Sequence, residues 1–162
     1  MNILLVVDLQ KQFKDKNEEK YNKVLQFINY NSHKFDRVVA SVFQNERGSM
    51  YEKLLKYTDC LDANASDIEF NADEVIEKRG YALNVEEYIR KKDNVIYIVG
   101  CDIDACVMAT CFKLWDNKYN FAVIEDEVYT TSDRLKDKDM IEVLKRNFGG
   151  CIMTWENAEK LL

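Results

Sequence analysis

Uninterrupted apolar runs alternate along this chain with stretches in which apolar residues return every three or four positions. Residues 3–7 (ILLVV) are continuously apolar, the pattern of a strand covered on both faces, and Asp8 stands at its carboxyl end. Between residues 17 and 30, Tyr21, Val24, Leu25 and Ile28 form an apolar stripe with charges between, which predicts an amphipathic helix. Arg37–Phe43 (RVVASVF) reads as the second strand. A loop with Gln44, Asn45 and Gly48 follows it, then a short helix over 50–57 and an irregular polar excursion over the surface, 59–72. Glu74–Lys78 (EVIEK) alternates weakly and predicts a short, edge-like third strand ended by Lys78. Val85, Tyr88 and Ile89 then support a helix closing on the basic residues Arg90, Lys91 and Lys92.

The stretch 95–115 (VIYIVGCDIDACVMATCFKLW) organises the rest. Five apolar residues run into Gly100, and from Ala105 onward Val107, Met108, Cys111, Phe112 and Trp115 recur at helical spacing. Cys106 thus falls in the first turn of a helix just beyond a strand end. Residues 120–124 (NFAVI) predict a fifth strand that runs into an acidic, solvated turn, Glu125, Asp126 and Glu127. Thr131 or Ser132 is placed to cap a helix through Phe148, stopped by Gly149 and Gly150. Residues 151–153 predict a last strand, and Thr154 caps a closing helix with Ala158, Leu161 and Leu162 on its apolar side. Strands alternating with helices specify a single doubly wound α/β domain over 1–162: a mainly parallel sheet, right-handed crossovers and helices on both faces, a three-layer α/β/α arrangement. Such a sheet gathers the carboxyl ends of its strands at one edge, which can bring Asp8, Lys78 and Cys106 together.

Charge and cysteine usage narrow the partners. A formal net charge of -6 with no long basic run argues against nucleic acid and anionic membranes. No stretch reaches the length of a membrane span, and the short apolar run at the amino terminus reads as a strand rather than a leader. Five cysteines without a C-x-x-C pair argue against a disulfide framework or zinc knuckle, so a soluble protein of the reducing cytoplasm is expected.

A thiol at a helix start faces unpaired amide N–H groups that favour thiolate, which makes Cys106 a candidate nucleophile. Asp8 can take the thiol proton and return it to a leaving group, Lys78 can lower the thiol pKa, and the amides of Ile103 and Cys106 can form an oxyanion hole. Taken singly, each residue also has an inert reading: Cys106 as packing, Asp8 as a turn or helix cap, Lys78 as a solvated lysine. Cys101, Cys111 and Cys151 read as packing thiols, and the single histidine, His33, as a surface residue.

Three segments carry a family resemblance. VVDLQKQF is similar to a strand followed by D-x-Q-x-x-F, VIEKRGYA places Lys78 on a catalytic lysine, and GCDIDACVMAT is similar to G-x-x-T-D-x-C-V-x-x-T. Together with the tail around Glu125-Asp126 and MTWENA, they resemble the isochorismatase-like cysteine hydrolases, a superfamily that includes nicotinamidases, N-carbamoyl amide hydrolases and isochorismatases. The resemblance implies about six parallel strands, an Asp8–Lys78–Cys106 triad and a covalent cysteine intermediate. It also implies a non-proline cis peptide at Asp102-Ile103, before an oxyanion amide. Gln10 and Phe13 fall at family positions, and Phe13, Gln44 and Tyr81 are expected to wall the substrate pocket. The resemblance implies a homo-oligomer, dimer or larger, and a small-molecule amide or carbamoyl substrate.

Two departures stand out. Ile103 replaces the usual threonine, and the loop after Lys78 carries Tyr81, Ala82 and Leu83. Nicotinamidase-like members hold a metal with Asp-x-His and a further histidine after the second strand. This chain has Phe43, Gln44 and Asn45 there, so neither metal nor cofactor is expected. The departures leave a non-enzymatic alternative: a degenerate member acting as small-ligand binder or oligomeric scaffold. A flavodoxin-like nucleotide binder ranks last, because no glycine-rich phosphate loop follows the first strand.

Overall fold

The computed structural model describes residues 1–62, 64–90 and 94–162. Its centre is one parallel sheet of six strands: β1 (Asn2–Val7), β2 (Arg37–Phe43), β3 (Glu74–Lys78), β4 (Val95–Cys101), β5 (Asn120–Tyr129) and β6 (Ile152–Met153). The spatial order is β3-β2-β1-β4-β5-β6, so the chain winds outward from β1 to one edge and then restarts on its other side. The reversal lies between β1 and β4, where open α/β sheets leave a crevice at their carboxyl ends.

Alternate side chains of β1 enter opposite cores, which explains its continuous apolar run. Leu4 and Val6 pack beneath α1 (Glu18–Asn31), whereas Ile3, Leu5 and Val7 join the cluster on the other face. That second cluster includes Cys111 and Leu114 of α4 (Met108–Asp116), and Ile141, Leu144 and Phe148 of α5 (Asp137–Phe148). Each such aliphatic side chain contributes roughly 1.5–3 kcal/mol by leaving water. α1 begins at Asn17, whose side chain accepts from the Lys20 amide at 3.1 Å, and it buries Tyr21, Val24, Phe27 and Ile28. Two short helices, Met50–Leu55 (α2) and Val85–Tyr88 (α3), complete the first half, and Trp155–Glu159 (α6) closes the chain. Lys91 and Lys92, expected to end α3, lie outside the described residues. Among the described residues no helix is long and apolar enough to cross a membrane.

Several boundaries differ from expectation. β4 continues through Gly100, whose φ of 114° and close approach to the Val7 carbonyl leave no room for a Cβ. β5 does not stop before the acidic residues but runs through them to Tyr129, with an irregularity opposite Ile98 and Gly100. Each acid has a protein partner: Glu125 pairs with Lys145 at 2.7 Å, the exposed Asp126 accepts at Oδ2 from the Trp155 amide at 2.8 Å, and Glu127 lies 3.7 Å from Lys23. α5 starts at Asp137 rather than near Thr131, because the Thr131 side chain is engaged elsewhere. The 59–72 excursion is not wholly superficial, since it inserts Cys60, Ala65 and Phe70 into the core. At the carboxyl end Thr154 caps α6 and Ala158 is buried, but Leu161 is exposed.

Candidate active site

Register levels the site residues. Val7 pairs with Ser41 of β2 and with Gly100 of β4, and Phe43 pairs with Lys78 of β3, so Asp8, Lys78 and the turn after β4 emerge at one end of the sheet. That turn, Ile103–Val107, is a π-helical turn in which the Asp102 carbonyl accepts from the amides of both Ala105 and Val107. It leads into α4 and presents Cys106.

Asp8, Lys78 and Cys106 are brought together. Lys78 Nζ lies 2.7 Å from Asp8 Oδ2 and donates to Cys106 Sγ at 3.3 Å and to the Gly80 carbonyl at 3.0 Å. Asp8 and Lys78 are buried, and the Lys78 ammonium also sits 5.3 Å from the Phe43 ring centroid. Asp8 has a positive φ of 50°, fixed from both ends: its amide donates to the Ser41 carbonyl at 3.0 Å, and Ser41 Oγ donates to Asp8 Oδ1 at 2.8 Å. Among the described residues Oδ2 meets Lys78 only as an ion pair and has no further fixed donor, so it is open to the thiol.

Electrostatics corrects the expected thiolate. Burial pushes the Cys106 thiol up, the Asp8 carboxylate beside it adds to the rise, and the pull of Lys78 does not cancel them. In the resting site the proton therefore belongs to sulfur, hydrogen-bonded toward Asp8. Burial works against the Lys78 charge as well, but Asp8 and Cys106 outweigh it and the net shift is upward, so the lysine stays an ammonium.

The turn before Cys106 differs by one residue from expectation. The cis peptide is Cys101-Asp102, not Asp102-Ile103. Ile103 is wholly buried with Ile98 and Val107 in the core, so its replacement of threonine alters packing rather than the cleft. Asp102 lines the cleft instead. Its Oδ1 accepts from the Thr131 amide at 2.6 Å and its Oδ2 from the Thr131 hydroxyl at 3.0 Å. Burial pushes this carboxyl up to about 6 despite the two donors.

Over Cys106 opens a cleft of about 430 Å³ walled by five aromatic residues, Phe13, Phe43, Tyr51, Tyr57 and Tyr81. Tyr51 meets Phe43 and Tyr81 edge-on, with centroids 4.9 and 5.0 Å apart. Phe13 and Tyr81, expected at a pocket wall, line this cleft. Gln44 does not: its amide donates to the Cys60 carbonyl at 2.8 Å, which ties it to the 59–72 segment and away from the cleft. Gln10 is structural too, bonding both backbone groups of Phe43, at 2.7 and 2.9 Å, and the Ala65 carbonyl. Ser41, Tyr51 and Tyr57 have no site role in the sequence reading, and Thr131 has one only as a possible helix cap; of these Ser41, a lone hydroxyl in an apolar strand, carries a local signal. A larger hollow of about 690 Å³ lies at the opposite end of β4 and β5, by Val95 and Asn120, remote from all three residues.

After β2, where the resemblance would put a metal-binding Asp-x-His, the residues present do not fit one: Gln44 and Asn45 are tied to backbone carbonyls. Asn45 Nδ2 donates to the carbonyls of Tyr57 and Asp59, each at 3.1 Å. Among the described residues no group of three or more His, Cys, Asp or Glu is arranged to hold an ion.

Comparison with known proteins agrees with this architecture. An isochorismatase-like hydrolase from Alkaliphilus metalliredigens superposes with a TM-score of 0.74 at 13% identity, over 99% of this chain and 98% of that one. An N-carbamoylsarcosine amidase from Thermoplasma acidophilum gives 0.70 at 19% identity, over 94% and 95%. A nicotinamidase from Bacillus subtilis gives 0.72 at 13%, over 91% and 96%. No curated protein sequence matches significantly. The isochorismatase domain profile matches residues 2–157, nearly the whole chain, and the protein therefore belongs to the isochorismatase family.

Proposed function

We propose that this protein is a cysteine hydrolase that cleaves a C–N bond of a small amide or carbamoyl compound, with Asp8, Lys78 and Cys106 as its triad. The observation that carries the reading is the contact chain from Asp8 to Lys78 to Cys106, at 2.7 and 3.3 Å, under an open cleft. A filled cleft or a dispersed triad would have favoured the scaffold alternative.

The sequence of steps follows from the protonation states. Asp8 takes the thiol proton as sulfur attacks the carbonyl carbon, so the thiolate need not accumulate beforehand. The carbonyl oxygen gains the electron pair and is held by the amides of Asp102 and Cys106, which line the cleft together with Ala105. Collapse of the tetrahedral species expels the nitrogen, which leaves with the proton from Asp8, and a thioester remains. Asp8 then removes a proton from water, which adds to the thioester; sulfur departs, recovers the proton, and the carboxylic acid is released. Lys78 keeps its charge throughout and steadies the carboxylate and the developing thiolate. No step uses a metal.

Intact-mass screening of amide and carbamoyl compounds tests this reading. A substrate is expected to leave an acyl adduct on Cys106 and to release ammonia or an amine, and Cys106→Ala is expected to abolish both. Turnover that survives in Cys106→Ala would sink the mechanism.

A further inference from the structure

The charges around the cleft are unevenly matched. Both cations near it are already neutralised: Lys78 by Asp8 at 2.7 Å, and Lys16, on the cleft wall, by Asp59 at 2.7 Å. Two carboxylates on the same wall, Asp102 and Asp133, form no ion pair among the described residues. Asp102 is held only by the neutral donors of Thr131, and each of its oxygens keeps a second lone-pair direction. The same cleft is lined by the rings of Tyr51, Tyr57 and Tyr81, and aromatic faces are electron-rich. One ring of this wall, Phe43, already lies against an ammonium, that of Lys78.

Aromatic faces and unpaired carboxylates around one hollow attract the same partner and repel a carboxylate-bearing one. Resting on the hydrolase reading above, we infer that the compound cleaved carries a positive charge: an amide or carbamoyl compound bearing an ammonium or quaternary ammonium group, seated between the tyrosines and the acids of Asp102 and Asp133. Asp102 and Asp133 are then the residues that set substrate charge.

The test uses thiol-modifying reagents that differ only in charge, so that it does not depend on finding the substrate. Rates of Cys106 modification at pH 9 are measured by peptide mapping for 2-(trimethylammonio)ethyl, methyl and 2-sulfonatoethyl methanethiosulfonate, each normalised to its rate with N-acetylcysteine. The cationic reagent is expected to react about tenfold faster than the anionic one, with the neutral reagent between. In the double variant Asp102→Asn, Asp133→Asn the ratio is expected to fall toward one. Equal normalised rates, a faster sulfonate, or a cation preference that persists unchanged in the double variant would each overturn the inference. Modification by none of the three would show the thiol closed off, and would overturn it together with the hydrolase reading. A charge ratio that stands while no amide yields an adduct or a free amine supports the cation site and removes only the hydrolase.

Discussion

Ser41 shows how a single hydroxyl can matter without touching substrate. It is almost wholly buried, and its hydroxyl occupies Asp8 Oδ1, which turns Oδ2 toward Lys78 and the thiol. It is a positioning residue in the proposed reaction. Ser41→Ala is expected to lower kcat/KM about tenfold, chiefly through kcat, because a carboxylate free to turn meets the thiol less often. Ser41→Thr, which keeps the hydroxyl, is expected to restore kcat; a purely structural role would change stability and leave kcat in place. Much at this scale was readable from the sequence, since Asp8 follows an apolar run, Lys78 ends a short alternating strand and Cys106 stands at a helix start just past a strand end. The state of the thiol was not. A helix start suggests a lowered thiol pKa, but burial and the facing carboxylate win, and both depend on residues far apart in the chain.

Elements were legible where one physical cue acted alone. β1, β2 and β4 are apolar on both faces and could be placed from that pattern within two residues. Thr131 shows the opposite case. Before a helical stripe a threonine has one visible use, as a cap, whereas its real partner, Asp102, is 29 positions away. The acidic stretch of β5 misled for the same reason, since its partners Lys23, Lys145 and Trp155 lie on other elements. Gly100 links elements more strictly. Gly100→Ala would drive a methyl into the Val7 carbonyl of the neighbouring strand at a φ that side chains rarely adopt. A loss of at least about 2 kcal/mol is expected by chemical denaturation. Gly150→Ala, with open space around it, is the control and should stay within about 0.5 kcal/mol of the parent.

For the molecule as a whole, the buried acids shape stability against pH. Burial pushes Glu127 up to about 7 from an ordinary 4.5, opposed only in part by Lys23. Between those values the folded protein holds a proton that the unfolded chain has lost. Stability from this group is therefore full below pH 4.5 and declines as pH rises through 7. Asp102 acts in the same sense between 3.8 and about 6. Glu127→Gln is expected to raise stability at pH 8 by about 1 kcal/mol or more, with the gain vanishing at pH 4. Thermal melts of the two proteins across that range measure it, and an equal difference at both ends would contradict the assignment.

The placement of the triad on the sheet has a consequence for how such a protein can change. Asp8 and the turn bearing Cys106 follow directly from adjacent strands, β1 and β4, whose spacing is set by backbone pairing and by Gly100. Most of the cleft wall belongs to connections: Phe13 after β1, Tyr51 and Tyr57 in and after α2, Tyr81 after β3, Asp133 after β5; the exceptions are Phe43, which ends β2, and Asp102, beside the turn that bears Cys106. The proposed reactive geometry and most of the ligand-facing wall are therefore carried by separable parts of one chain. Wall residues can be exchanged in a directed-evolution library while the strands keep Asp8 and Cys106 in register, so new selectivity should be reachable without rebuilding the geometry of the proposed reaction.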